Sequence, residues 1–140
     1  MKIAGTTVVT SSWSKIKKIP EDERPTAVRI SVGLPRFWKG ANKLPNIVEL
    51  APFGLFNRGL TEEEFADGYR KRLSEFGVSK IRAQLKEVAA AAPTDTIALC
   101  CYEDVTKEPC HRTVFAEWWR EQTGQQIEEF VAPNEQATMV

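Results

Sequence analysis

The chain has 140 residues, 42% hydrophobic and 27% charged, and its 19 basic side chains are balanced by 19 acidic ones. That is enough apolar material for an ordinary core without disulfide or metal staples, and the neutral total excludes a generic nucleic-acid coat or acidic-membrane binder while allowing a local basic patch. No apolar run is long enough to cross a bilayer, the opening MKIAGTTVVTSS lacks the apolar segment of a secretory leader, and three clustered cysteines do not read as a disulfide framework, so cytosolic thiols and a cytoplasmic location are expected.

Residues 2–9, KIAGTTVV, are short, β-branched and bounded by the polar TSS, which predicts a strand. Trp13, Ile16 and Ile19 follow at helical spacing and Pro20 closes them, so one or two helical turns fit. PEDERP is a charged surface loop, and TAVRISVG (26–33) reads as a second strand stopped by Gly33 and Pro35. Residues 34–59 carry prolines at 35, 45 and 52 and little periodicity; a connection this long is functional or holds turns that periodicity does not reveal. Thr61 and Glu64 then form a capping box, in which the hydroxyl accepts from the N3 amide and the carboxylate reaches back. Phe65, Tyr69, Leu73 and Phe76 line one face of that helix, and Gly77 can take a left-handed stop. Ser79 is the expected cap of the next helix, with Ile81, Leu85, Val88 and Ala92 as its stripe and Pro93 as its end. TIALCCY (96–102) is apolar throughout, as a strand covered on both faces should be. A helix from Cys110 to Thr123 turns Val114, Phe115, Trp118 and Trp119 inward, and QQIEEFV (125–131) predicts a last strand with Ile127, Glu129 and Val131 on one face.

Strands interleaved with helices predict an α/β fold: a small, mostly parallel sheet of about four strands flanked by helices in a Rossmann-like three-layer arrangement. Residues 1–132 are expected to form one domain and 133–140 a disordered tail. Such sheets bind ligands beyond the carboxyl ends of their strands, which would gather TSSW, GLPRFWKG and YEDVTKEPCHR at one edge.

All three cysteines and the one histidine lie within residues 98–119. Cys100 and Cys101 point to opposite faces of their strand, Cys100 into the core and Cys101 onto the face it shares with Glu103. Cys110, His111 and Arg112 occupy the first turn of the following helix, where free amides favour an anion and a thiolate. Arg112 supplies a fixed guanidinium fork for phosphate or carboxylate, His111 can move a proton, and Glu103 can act as a base or orient either neighbour. The plainer alternative is a structural network in which Glu103 and Arg112 pair and His111 bonds a backbone carbonyl. Cys101, Cys110, His111 and Glu103 are zinc-competent ligand types, but adjacent Cys-His at one helix start is awkward geometry, so no metal or other cofactor is assigned. A phosphatase-type loop needs more residues between cysteine and arginine, and a Cys101–Cys110 disulfide requires their backbones to approach. Elsewhere, Arg36, Phe37, Trp38 and Lys39 interleave cations with aromatics, a combination that can stack a base and hold a phosphate, or simply anchor a loop. Ser12 and Trp13 follow the first strand, where the hydroxyl can cap the next helix or hold a ligand oxygen.

LCCYE, an interval, then CHR and a helix containing EWW resemble the uncharacterised YeaO-like family, domain of unknown function 488. Its strand ending in Cys-x-Glu and its Cys-His-Arg helix start fall on Cys101, Glu103, Cys110, His111 and Arg112. TTVVTSSWSKIKKIP, VRISVGLPRFWKG, the Leu50-Ala51-Pro52 triplet and Tyr69 extend the similarity over most of the chain, as in a compact branch of the family. Larger members carry Asp-x-Arg after the second strand; VRISVG has no aspartate, so any role of that residue does not transfer. The resemblance implies an α/β fold of bacterial or phage type and no known reaction.

The resulting expectation is a small enzyme for a nucleotide-like or other phosphate-bearing substrate. Glu103, Cys110, His111, Arg112 and Cys101 form its catalytic set, and Ser12, Trp13, Arg36, Trp38 and Lys39 bind the substrate. The alternative is a non-catalytic module that binds nucleic acid or protein through the Arg-Phe-Trp-Lys loop. A small-molecule or nucleotide ligand, and no membrane, are the expected partners.

Overall fold

The computed structural model describes residues 1–55, 59–102 and 111–131. The sheet is a mixed, mostly parallel α/β sheet with helices on both faces. β1 (Lys2–Ile3) and β2 (Thr6–Ser12) form a hairpin, so the predicted first strand is in fact two. Its turn residues Ala4 and Gly5 both have positive φ, at 51° and 83°, the geometry a tight two-residue hairpin requires. β2 then runs on through both serines that were read as its boundary, because β4 (Thr96–Cys101) pairs with it in parallel along its whole length, from Thr7 opposite Thr96 to Ser12 opposite Cys101.

β3 (Thr26–Arg29) lies on the far side of β4, also parallel. β5 (Glu128–Glu129) pairs in parallel with Val9 and Thr10, on the stretch of β2 beyond that taken by β1. The order is therefore β1-β2-β4-β3, with β5 on β2, five described strands in the small, mostly parallel sheet that was expected. Past β3, Asn46 bridges Arg29, with Arg29 N donating to Pro45 O at 2.7 Å and Ile47 N to Arg29 O at 3.0 Å. The long connection thus contributes to the sheet edge and also holds short 3-10 turns at Ala41–Lys43 and Val48–Leu50.

The two faces of the sheet are unequal. On one, Val8, Val28, Ile97, Leu99 and Cys101 pack under α2 (Glu62–Phe76), α3 (Val78–Ala91) and α4 (His111–Thr123), which bury the expected Tyr69, Leu73, Ile81, Leu85, Phe115 and Trp119. On the other, Val9, Ala27, Ala98 and Cys100 are covered by Trp13 and Ile16 of α1 (Trp13–Lys17) and by Ile19 beyond it. The parity of the strands produces this division, since residues two apart share a face.

The capping box at Thr61 forms as read: Glu64 N donates to the Thr61 hydroxyl at 3.1 Å and Thr61 N to the Glu64 carboxylate at 3.0 Å. Ser79 is not the cap of α3. That helix begins directly after Gly77, which ends α2 and starts α3 with φ 89° and ψ 153°, leaving no room for a separate capping residue. Among the described residues no helix is long and apolar enough to cross a membrane. The expected disordered tail at 133–140 lies outside the described residues.

Candidate functional site

β2, β4 and β3 point their carboxyl ends the same way, and the first turn of α4 lies against that edge. Ser12 and Cys101 are register partners at the ends of β2 and β4. The side chains of His111 and Arg112 then bind α4 to three different strands or strand ends. Arg112 is 2% exposed. Its Nε and Nη2 donate to the two carboxylate oxygens of Glu129, each at 3.0 Å, while Nη1 donates to Cys101 Sγ at 2.8 Å. The Thr10 hydroxyl donates to Glu129 Oε1 at 2.8 Å. A forked guanidinium facing a carboxylate edge-on is the strongest form of this pair; it joins α4 to β5, and through Thr10 to β2.

His111, 1% exposed, places Nε2 at 2.7 Å from Ile30 O, just past the end of β3. A carbonyl oxygen can only accept, so Nε2 donates this bond. The Tyr69 ring stands edge-on to the imidazole, centroids 5.7 Å apart, and its hydroxyl donates to Leu50 O at 2.6 Å. The Leu50-Ala51-Pro52 triplet, Tyr69 and His111 are therefore links in one physical chain from the long connection through α2 to α4.

Cys100 and Cys101 divide as their alternation predicts. Cys100 is a free thiol in the smaller core, and burial pushes its pKa up to about 12, so it stays protonated and inert. Cys101 faces α4 and is disulfide-bonded. The expectation of free thiols therefore fails for Cys101, while Cys100 is free. Glu103 and Cys110, assigned from sequence to the same site, lie outside the described residues.

The other assigned residues fall partly elsewhere. Ser12 caps α1, accepting from Lys15 N at 3.2 Å. Trp13 is wholly buried on the opposite face from Cys101 and donates from Nε1 to the Ser31 hydroxyl at 3.2 Å. Trp38 packs against the Trp13 ring, edge to face at 5.4 Å, with Lys17 and Arg24 at 5.8 and 5.4 Å from its own centroid. The loop tryptophan is thus occupied by packing and two cations, and belongs to the α1 face, while Cys101, His111 and Arg112 belong to the α4 face. Phe37, Arg36 and Lys39 are exposed.

Two features of this corner were missed from sequence. Alternation puts Glu129 on the same face as Ile127 and Val131, but nothing local names Arg112 as its partner. Tyr102 follows Cys101 and lies against Gly33, where a Cβ would meet its ring at 3.5 Å. Burial raises its phenol pKa, and the charges of Arg36 and Arg29 oppose that rise. Arg29 is committed to the backbone, donating to Ser31 O at 3.0 Å and to Val32 O. Among the described residues, no group of three or more His, Cys, Asp and Glu side chains is arranged to hold a metal ion.

A family model described as domain of unknown function DUF488 matches residues 49–119, just over half of the chain. The match takes in Leu50, Tyr69, Cys101, His111 and Arg112 and stops before Glu129. No curated protein and no solved structure matches the chain.

Proposed function

The chain belongs to the family described as domain of unknown function DUF488, and on that premise, together with the corner where α4 meets the sheet, we propose that it is an enzyme acting on a nucleotide-like or other phosphate-bearing small molecule. The observation behind this reading is the meeting of Cys101, His111 and Arg112 at the carboxyl edge, the edge where open α/β sheets bind ligands. The geometry redistributes the roles. Arg112 is already matched by Glu129, so it is a positioning residue. Arg36, exposed and near Tyr102, takes the phosphate together with the α4 amides. His111, held by Ile30 O, is the group that moves the proton. Glu103 serves as acid–base, Cys110 as nucleophile with Cys101 in support, and Ser12 as a hydroxyl partner. Trp13, Trp38 and Lys39 shape the flank nearest α1. No metal or cofactor enters this reading.

The test is kinetic. The reduced protein is assayed against nucleoside phosphates and sugar phosphates; turnover is expected, with kcat/KM falling about a hundredfold in Glu103→Gln and Arg36→Ala at unchanged melting temperature. No turnover by the wild type across the panel overturns the proposal.

A second reading has its own observation: Phe37 is 49% exposed between exposed Arg36 and Lys39. An aromatic flanked by cations suits a binding module for single-stranded nucleic acid or a protein segment. Binding lost in Phe37→Ala and Lys39→Ala but kept in Glu103→Gln, without turnover, would favour it.

A further inference from the structure

We infer that the α1 face of the sheet is a docking surface for single-stranded nucleic acid, with lysines of α1 and of the loop around Trp38 on the phosphates and Phe37 under a base. The inference rests on the second reading above and deepens it: one exposed loop becomes a whole face, and one partner is chosen. It does not involve turnover at the carboxyl edge.

The neutral total hides an uneven distribution. Residues 13–43, which run from α1 to the 3-10 turn after Trp38, carry eight basic side chains and three acidic ones. The three acids, Glu21, Asp22 and Glu23, are consecutive on one 3-10 turn. The helices on the opposite face are balanced, since α2, α3 and α4 together carry eight side chains of each sign. The positive excess therefore belongs to the α1 side.

Packing brings these cations together. Trp13 and Ile16 seat α1 on the smaller core, and Trp38 and Leu44 seat the loop on the same core. Lys17 and Arg24 lie 5.8 and 5.4 Å from the Trp38 ring centre, so α1, the segment after it and the loop meet at that ring. Arg24 is occupied by backbone, donating to Ile19 O and Lys17 O. Lys17, Lys18, Lys39 and Lys43 are exposed, and among the described residues none of them is paired with a carboxylate. Cations held close together without neutralisation attract a polyanion. Phe37 is exposed beside them.

The surface discriminates among polyanions. A bilayer needs an apolar face to bury, but α1 has five residues and its apolar side chains Trp13 and Ile16 are already in the core. A second copy needs a face of opposite sign, which the balanced helices do not supply. A duplex stacks its base faces out of reach and is read by an element that enters a groove. A single strand offers spaced phosphates and open base faces, which lysines and an exposed ring can take up.

The experiment is fluorescence anisotropy of labelled dT and rU strands of about 20 nucleotides with the full chain. Saturable binding is expected, weakening about fiftyfold between about 50 and about 200 mM salt for four neutralised phosphates. The double variant Lys18→Glu, Lys43→Glu, which keeps the Trp38 contacts, should weaken binding at low salt by about tenfold or more. The double variant Lys71→Glu, Lys86→Glu makes the same charge change on α2 and α3 and should weaken it by less than about threefold. Phe37→Ala should lose about tenfold. Melting temperatures check that each variant is folded. Tighter binding of dT or of rU tells DNA from RNA, and either result supports the inference. A loss in Phe37→Ala with none in Lys18→Glu, Lys43→Glu would overturn the face and leave the loop of the second reading standing. Equal losses in the two charge-reversal pairs would overturn it as an effect of total charge. No saturable binding of either strand at low salt, or binding to phosphatidylserine vesicles in place of the strands, would also overturn it.

Discussion

Replacing Glu129 with glutamine removes the charge that neutralises a guanidinium buried to 2% exposure while leaving the side chain's shape almost intact. Removing one partner of a fully buried ion pair costs about 3–5 kcal/mol, chiefly because the other charge stays behind without compensation. The Glu129 side chain is 36% exposed, so water and the glutamine oxygen recover part of that loss. About 2–3 kcal/mol of destabilisation is expected after that discount. At roughly 3 °C per kcal/mol for a domain of this size, the melting temperature should fall by about 6–9 °C. Calorimetry measures this directly, and urea melts at unchanged slope separate lost stability from lost cooperativity. The double variant Arg112→Met, Glu129→Leu removes both charges and should recover more than half of the loss, because an apolar pair of similar volume avoids the desolvation cost altogether. A Glu129→Gln protein that melts within about 2 °C of wild type would refute the reasoning, since a buried Arg112 could then do without its carboxylate.

Three further outcomes follow from individual contacts. Tyr69→Phe deletes the donor to Leu50 O and should cost about 1–2 kcal/mol in denaturant melts, the penalty of a buried carbonyl left short of a partner. Gly77→Ala meets nothing within 4 Å of its new Cβ, so any loss is due to backbone strain at φ +89°; about 1–3 kcal/mol is expected, and an unchanged midpoint would contradict it. The Cys100 thiol has a folded pKa raised from 9.0 to about 12, so the stability gained by keeping it neutral is whole below 9.0 and is lost as pH rises from there toward 12. Denaturant midpoints followed across that window should fall more steeply in wild type than in Cys100→Ala.

The parts of this molecule that depend on local pattern were legible in the sequence. The capping box, the buried faces of α2 and α4 and the opposed directions of Cys100 and Cys101 all follow from side-chain periodicity, which acts over a few residues. The hairpin was missed because a β-branched run masks a turn whose only mark is Ala4-Gly5. Ser79 was misread because one glycine serves both helices and does not need a side-chain cap. The site was legible as a place and less so as a set of partners. Convergence of β4 with the start of α4 follows from chain order, and Cys101, His111 and Arg112 meet there. Pairing of Arg112 with Glu129 and of His111 with Ile30 joins residues 17 and 81 positions apart, which no local pattern encodes. Trp38 shows the converse: its sequence neighbourhood suggests a stacking platform, and the packing of Trp13, Lys17 and Arg24 around it becomes evident only in three dimensions.

Binding of a phosphate-bearing ligand at the carboxyl edge of the sheet can be followed by amide-resolved NMR titration of the reduced protein with nucleoside monophosphates. The signals of Ser12, Arg36, Tyr102 and His111 should move together and saturate with one affinity. Shifts confined to the opposite edge, around Thr26, Asp95 and Thr96, or no saturable shift with any of the monophosphates, would contradict it.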